Sequence, residues 1–124
     1  MANQLVWVDI PVIEIDRAIA FYSAVLGSQI AKQEYPGFVI GLLPGAETDV
    51  SGCLYVPGAE GITNKPGDSG PLIYLNCSGR LKEAVEAVSA SGGSVLMDVH
   101  PMGPHGFRAV VKDSEGNRIA LHSM

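Results

Sequence analysis

Residues 15–27, IDRAIAFYSAVLG, and residues 81–93, LKEAVEAVSASGG, carry one pattern twice, 66 positions apart. Ile15, Ile19, Tyr22 and Leu26 recur at the three- and four-residue spacing that places side chains on a single helix face. At the offset, Ile15 falls on Leu81, Ile19 on Val85, Tyr22 on Val88 and Gly27 on Gly93. Asp16 suits an N-cap or a first-turn acid, and a glycine stop follows each helix.

The same strand order surrounds both helices. LVWVDIPV (5–12) precedes the first, and SQIAKQEY, GFVIGLLP and SGCLYVP follow it. LIYLNC (72–77) precedes the second, and SVLMDV, FRAVVK and RIALH follow. Between the halves, GAEGITNKPGDSGP (58–71) is rich in Gly, Pro, Asp and Asn, with Ile62 its only large apolar residue. It reads as a linker or a flexible flap. The expectation is one α+β domain of two tandem βαβββ modules over residues 1–124: module one at 1–57, the linker at 58–71, module two at 72–124.

Each module has a sheet face that its helix covers and a second face of mixed polarity. Two modules side by side would curve their uncovered faces into one trough. Strand alternation sends Trp7, Asp9, Tyr74, Asn76, Arg118, Ala120 and His122 there.

Composition narrows the partners. The chain has 124 residues, 47% hydrophobic, enough for one filled core. Its net charge of −5 leaves no basic stripe to meet phosphates, which excludes a nucleic-acid partner. No apolar run reaches membrane-spanning length, and Met-Ala-Asn-Gln lacks the basic start of a signal peptide, so a soluble cytoplasmic protein is expected. Cys53 and Cys77 are too few for a disulfide framework and read as free, buried thiols.

Three stretches resemble the vicinal oxygen chelate superfamily of glyoxalases, bleomycin-resistance proteins and extradiol dioxygenases. IPVIEIDRAIAFYSAVLG resembles its first strand and helix, and GPLIYLNC with LKEAVEAVSASGGSVLM the start of its second module. GPHGFRAVVKDSEGNRIALHS resembles its ending. The resemblance implies the glyoxalase/bleomycin resistance fold, a curved mixed-sheet trough and a homodimer. It also implies a metal held in the trough by His, Glu or Gln from four strands. The matching positions here fall on Trp7, near Leu72 to Tyr74, in SGCLYV and on Ala120. Indole and methyl groups do not coordinate a divalent cation. The expectation is therefore no metal at the family position and no cofactor.

Several residues remain as candidates for ligand contact, each with a plainer alternative. His122 is a hydrogen-bond donor or general base, or else a half-exposed strand-end histidine. His105, in the loop HPMGPHGF, closes one end of the trough and touches the ligand, while His100 is ordinary. Trp7 and Tyr74 wall the pocket, or merely fill the space that the metal has vacated. Asp9, with Asn76 among the trough residues, is solvated, functional, or paired with Arg108 or Arg118. Glu115, in the turn, is expected to face solvent.

Two functions stay open. One is a module that binds a small organic molecule in the trough. The other is a lyase or isomerase of the glyoxalase type, using Asp9, His122 or Tyr74 with an unusual metal site or without metal. No catalytic residue is assigned.

Overall fold

The computed structural model describes residues 3–46, 49–58 and 64–124. Its elements run β1 (Trp7–Pro11), α1 (Ile15–Leu26), β2 (Ala31–Tyr35), β3 (Phe38–Leu42) and β4 (Ser51–Tyr55). Then come β5 (Ile73–Asn76), α2 (Leu81–Ala90), β6 (Ser94–Pro101), β7 (Phe107–Lys112) and β8 (Arg118–Ser123). A short 3-10 turn, Gly103–His105, joins β6 to β7. The first sheet has the order β1-β4-β3-β2 and the second β5-β8-β7-β6. The first strand of each half pairs in parallel with the last, a connection that a helical crossover permits, and the other pairs are antiparallel. Two open mixed sheets and two helices make the expected α+β architecture. Among the described residues no helix is long and apolar enough to cross a membrane.

Alternation fills one core. Ile10 and Leu54 from the first sheet, Val12 just after β1, and Ala109, Val111, Ile119 and Leu121 from the second sheet meet Phe21, Tyr22 and Val25 of α1 and Leu81, Ala84 and Val88 of α2. Each large apolar side chain so buried contributes about 1.5–3 kcal/mol. The two helices pack on each other, so the helix-covered sides of both sheets share this core. The uncovered faces therefore point away from it.

The start of α1 corrects the reading of Glu115. Glu14 is the N-cap but makes no side-chain cap, and Asp16 is a first-turn acid that binds Lys32 Nζ at 2.9 Å. The helix-start N–H groups need an acceptor from elsewhere. Glu115 supplies it: Ile13 N–H and Glu14 N–H donate to Oε1 at 2.9 and 2.8 Å, and Arg17 Nε donates to Oε2 at 2.7 Å. Its side chain is fully buried. Its neighbours in the turn are equally occupied. Asp113 accepts the Tyr22 hydroxyl at 2.5 Å, and Asn117 Nδ2 donates to the Pro11 carbonyl at 2.8 Å. A turn expected in solvent instead fastens module two to module one.

The linker is described only in part, and Ile62 lies outside the described residues. Its later stretch is tied down. Asn117 Oδ1 accepts from Gly67 N–H at 3.1 Å, and Arg118 Nη2 donates to the Gly70 carbonyl at 2.9 Å.

Candidate functional site

Register builds the uncovered face of the second sheet row by row. Asn76, His122, Arg108 and His100 form one cross-strand row, and Tyr74, Ala120, Val110 and Met97 the next. From β7, Arg108 Nε donates to His100 Nε2 at 2.9 Å and Nη1 donates to the Tyr74 hydroxyl at 2.5 Å. The Tyr74–Arg108 bond spans β8, whose Ala120 between them is fully buried. His100 Nδ1 lies 2.8 Å from the Asp98 carbonyl, which can only accept. These contacts place the His100 proton on Nδ1 and leave Nε2 to receive Arg108. His122 Nε2 donates to the His105 carbonyl at 2.6 Å, and its ring stands edge-on to Tyr74 at 6.1 Å between centroids.

The first sheet carries a separate cluster. Asp9 Oδ1 accepts from the Trp7 indole at 2.9 Å and from the Cys53 thiol at 3.4 Å. Burial, then the adjacent Asp9 carboxylate, pushes the Cys53 thiol up to about 12, so it stays protonated and unreactive at neutral pH. Cys77 is also a buried free thiol, raised chiefly by burial.

The expected trough residues thus fall into two groups. Tyr74, His122 and the His105 carbonyl belong together, and Trp7 belongs with Asp9. Among the described residues no hydrogen bond or ring contact joins one group to the other. Asn76 spends its side-chain oxygen on Ser78 N–H at 2.9 Å. His105 contributes its backbone carbonyl rather than its ring to these contacts. Asp9 pairs with neither Arg108 nor Arg118, because both arginines lie on the other sheet and are engaged there. A cleft between α2 and β6, lined by Leu81, Val85, Asp98 and Val99, is apart from both clusters.

A family model described as the glyoxalase/bleomycin resistance protein/dioxygenase superfamily matches residues 4–121. The chain belongs to that superfamily. A "Glyoxylase-like domain-containing protein" of Didymella fabae is 31% identical over 96% of this chain and 92% of its own length. Among solved structures, a glyoxalase/bleomycin resistance protein from Albidiferax ferrireducens T118 superposes with a TM-score of 0.75 at 15% identity, covering 98% of this chain and 99% of the other. A glyoxalase-related enzyme from Fulvimarina pelagi gives 0.69 at 17% identity, covering 99% and 89%. At these identities the structural likeness concerns the fold.

The superfamily's divalent metal can be tested against the side chains at its positions. Trp7 faces Ser51 across the parallel β1–β4 pair, and Tyr74 faces Ala120 across β5–β8. Indole, hydroxyl, phenol and methyl do not make a ligand set for Zn, Fe or Ni. Trp7 and Ala120 do not fit that metal. Among the described residues no three His, Cys, Asp or Glu side chains converge elsewhere.

Sequence reading passes over Arg108 as a site residue and sets His100 aside. The signal is present: Arg108 stands one position from core residue Ala109 in a strand, which fixes its face. Its partners are on other strands, 8 and 34 residues away.

Proposed function

We propose that this protein binds a small organic molecule on the uncovered faces of its sheets, without the superfamily's divalent metal, in a cavity that two copies of the chain build together. The observation that carries the reading is the Tyr74–Arg108–His122 group. It is partly exposed, Tyr74 at 41%, and retains hydrogen-bonding atoms without a partner among the described residues. A rigid aromatic wall with a few convergent polar atoms is the usual make-up of a ligand site. The dimer is supported by apolar side chains left open on both uncovered faces, Trp7, Phe38 and Met97 among them.

A thermal-shift screen of small metabolites and antibiotics tests the reading. Tyr74→Ala and His122→Ala should each weaken the ligand so found by about 1–3 kcal/mol, the cost of losing a buried hydrogen bond. Unchanged affinity in both variants would remove the pocket from this face. The name of the Didymella relative favours a second reading, a lyase or isomerase of the glyoxalase type. Stoichiometric Zn, Ni, Fe or Mn that survives dialysis of the purified protein would support that reading and overturn the metal-free one.

A further inference from the structure

The charges on the uncovered face of the second sheet are one-sided. The paired positions of its strands place Arg108, Lys112, Arg118, His100 and His122 there and, among the described residues, no carboxylate, in a chain whose net charge is −5. Lys112 is the one that meets an acid, with Asp68 at 3.9 Å. Arg108 makes no ion pair among the described residues; both of its bonds are to neutral acceptors, the His100 ring and the Tyr74 hydroxyl. A guanidinium held by neutral groups keeps its full charge for something else.

The geometry also says which atoms remain. Arg108 uses Nε and one Nη1 hydrogen, so among the described residues the Nη2 hydrogens are unspent. Tyr74 receives a bond at its oxygen, and its own O–H has no acceptor among the described residues. Arg108 is fixed from two sides and lies 5.9 Å from the centre of the Tyr74 ring, which limits the entropy lost on closing over a ligand. On the same face, Arg118 Nε is buried with no partner among the described residues.

We propose that Arg108 and Tyr74 form a binding site for a carboxylate group of the ligand, so that the molecule taken by this protein is a small organic anion. The guanidinium fork meets a planar carboxylate with parallel N–H donors, and the Tyr74 hydroxyl adds a third. The fixed cation of the site is then Arg108, which lies across β8 from Tyr74, one row along at the level of His122. This rests on the preceding reading that the uncovered face binds small molecules, and it narrows the class from any organic molecule to an acid.

Benzoate, benzamide and benzylammonium are probes of one shape and three charges. Their binding to the intact protein is followed by NMR through the Tyr74 and His122 ring signals and the Arg108 side-chain N–H. Benzoate should bind at least about tenfold tighter than benzamide, as a charge-assisted fork requires, and benzylammonium weakest. Arg108→Gln should abolish the preference for benzoate over benzamide. Tyr74→Phe, which removes only the hydroxyl, should weaken benzoate about three- to tenfold. Benzamide or benzylammonium binding as tightly as benzoate would overturn the carboxylate site while leaving the small-molecule face standing. The carboxylate site is overturned in the same way if wild type and Tyr74→Phe bind benzoate equally, or if Arg108→Gln keeps the preference. If none of the three probes moves the Tyr74 or His122 signals, the carboxylate site and the binding face both fall.

Discussion

Glu115 shows what a single carboxylate does when its partners are remote in sequence. Burial raises its pKa. The Arg17 guanidinium, the Glu14 N–H, the Ser114 hydroxyl and the Ile13 N–H outweigh that and hold it down at about 2. In the unfolded chain it returns to about 4.5. A depressed folded pKa stabilises the native state above the unfolded value, and the gain disappears as pH falls from about 4.5 towards 2. The shift corresponds to about 2–3 kcal/mol once solvent screening at half-exposed Arg17 is allowed for. Urea titrations should show wild-type stability falling through that window, and Glu115→Gln should be less stable at neutral pH with a shallower acid slope. Equal slopes would refute the assignment. At this scale the sequence was legible for faces and silent on partners. Alternation put Tyr74 and His122 on the uncovered side, whereas nothing local announced that Glu115 would cap a helix about a hundred residues earlier.

Elements were legible wherever period was strong. Both helices and all eight strands fall where the apolar spacing puts them. β6 is the loosest case: it extends to Pro101, and register shifts at Val95/Met97 and Met97/His100 break its alternation, leaving Val95, Leu96, Met97 and Val99 all exposed. The end of α2 shows a subtler limit. Gly92 and Gly93 read together as a helix stop, yet they answer to different forces. Gly92 has φ of 98°, the left-handed region that glycine tolerates, and a Cβ there would meet only Ser114 Cβ, at an ordinary 3.8 Å. Gly93 does not; a Cβ there would sit 2.4 Å from the Lys112 carbonyl oxygen and 2.6 Å from the Phe21 ring. It is glycine because α1, α2 and β7 converge on it. Gly93→Ala should therefore cost about 1–3 kcal/mol through overpacking, and Gly92→Ala about 1 kcal/mol through backbone strain alone. Chemical denaturation of the two variants compares them directly. A Gly92→Ala cost equal to or above that of Gly93→Ala would show that the close approach is not what selects the residue.

For the whole molecule, the duplicated module predicted the architecture, but alternation cannot tell whether two uncovered faces meet. It assigns a side chain to a side of its own sheet, and the relative placement of the sheets is set by how α1 and α2 pack. Here the covered sides share one core, and among the described residues no hydrogen bond or ring contact joins the Trp7–Asp9–Cys53 cluster to the Tyr74–Arg108–His122 cluster. Each cluster is open: Trp7 is 42% and Tyr74 41% exposed, and β2 and β6 are sheet edges without a partner strand among the described residues. Unpaired edges and apolar patches of this kind invite a second copy, and a stable association buries roughly 1,600 Å² in total. A dimer that sets the first sheet of one copy opposite the second sheet of the other would bring Trp7 and Asp9 to the Tyr74 cluster and enclose the ligand from both sides. Two measurements follow. Sedimentation should show a dimer at micromolar concentration, and ligand affinity should drop as the protein is diluted through the dissociation range of that dimer, because each monomer holds only one wall of the cavity. A monomer at micromolar concentration would remove the shared cavity, and so would an affinity that stays constant across dissociation, since either result would leave a single open face sufficient for binding.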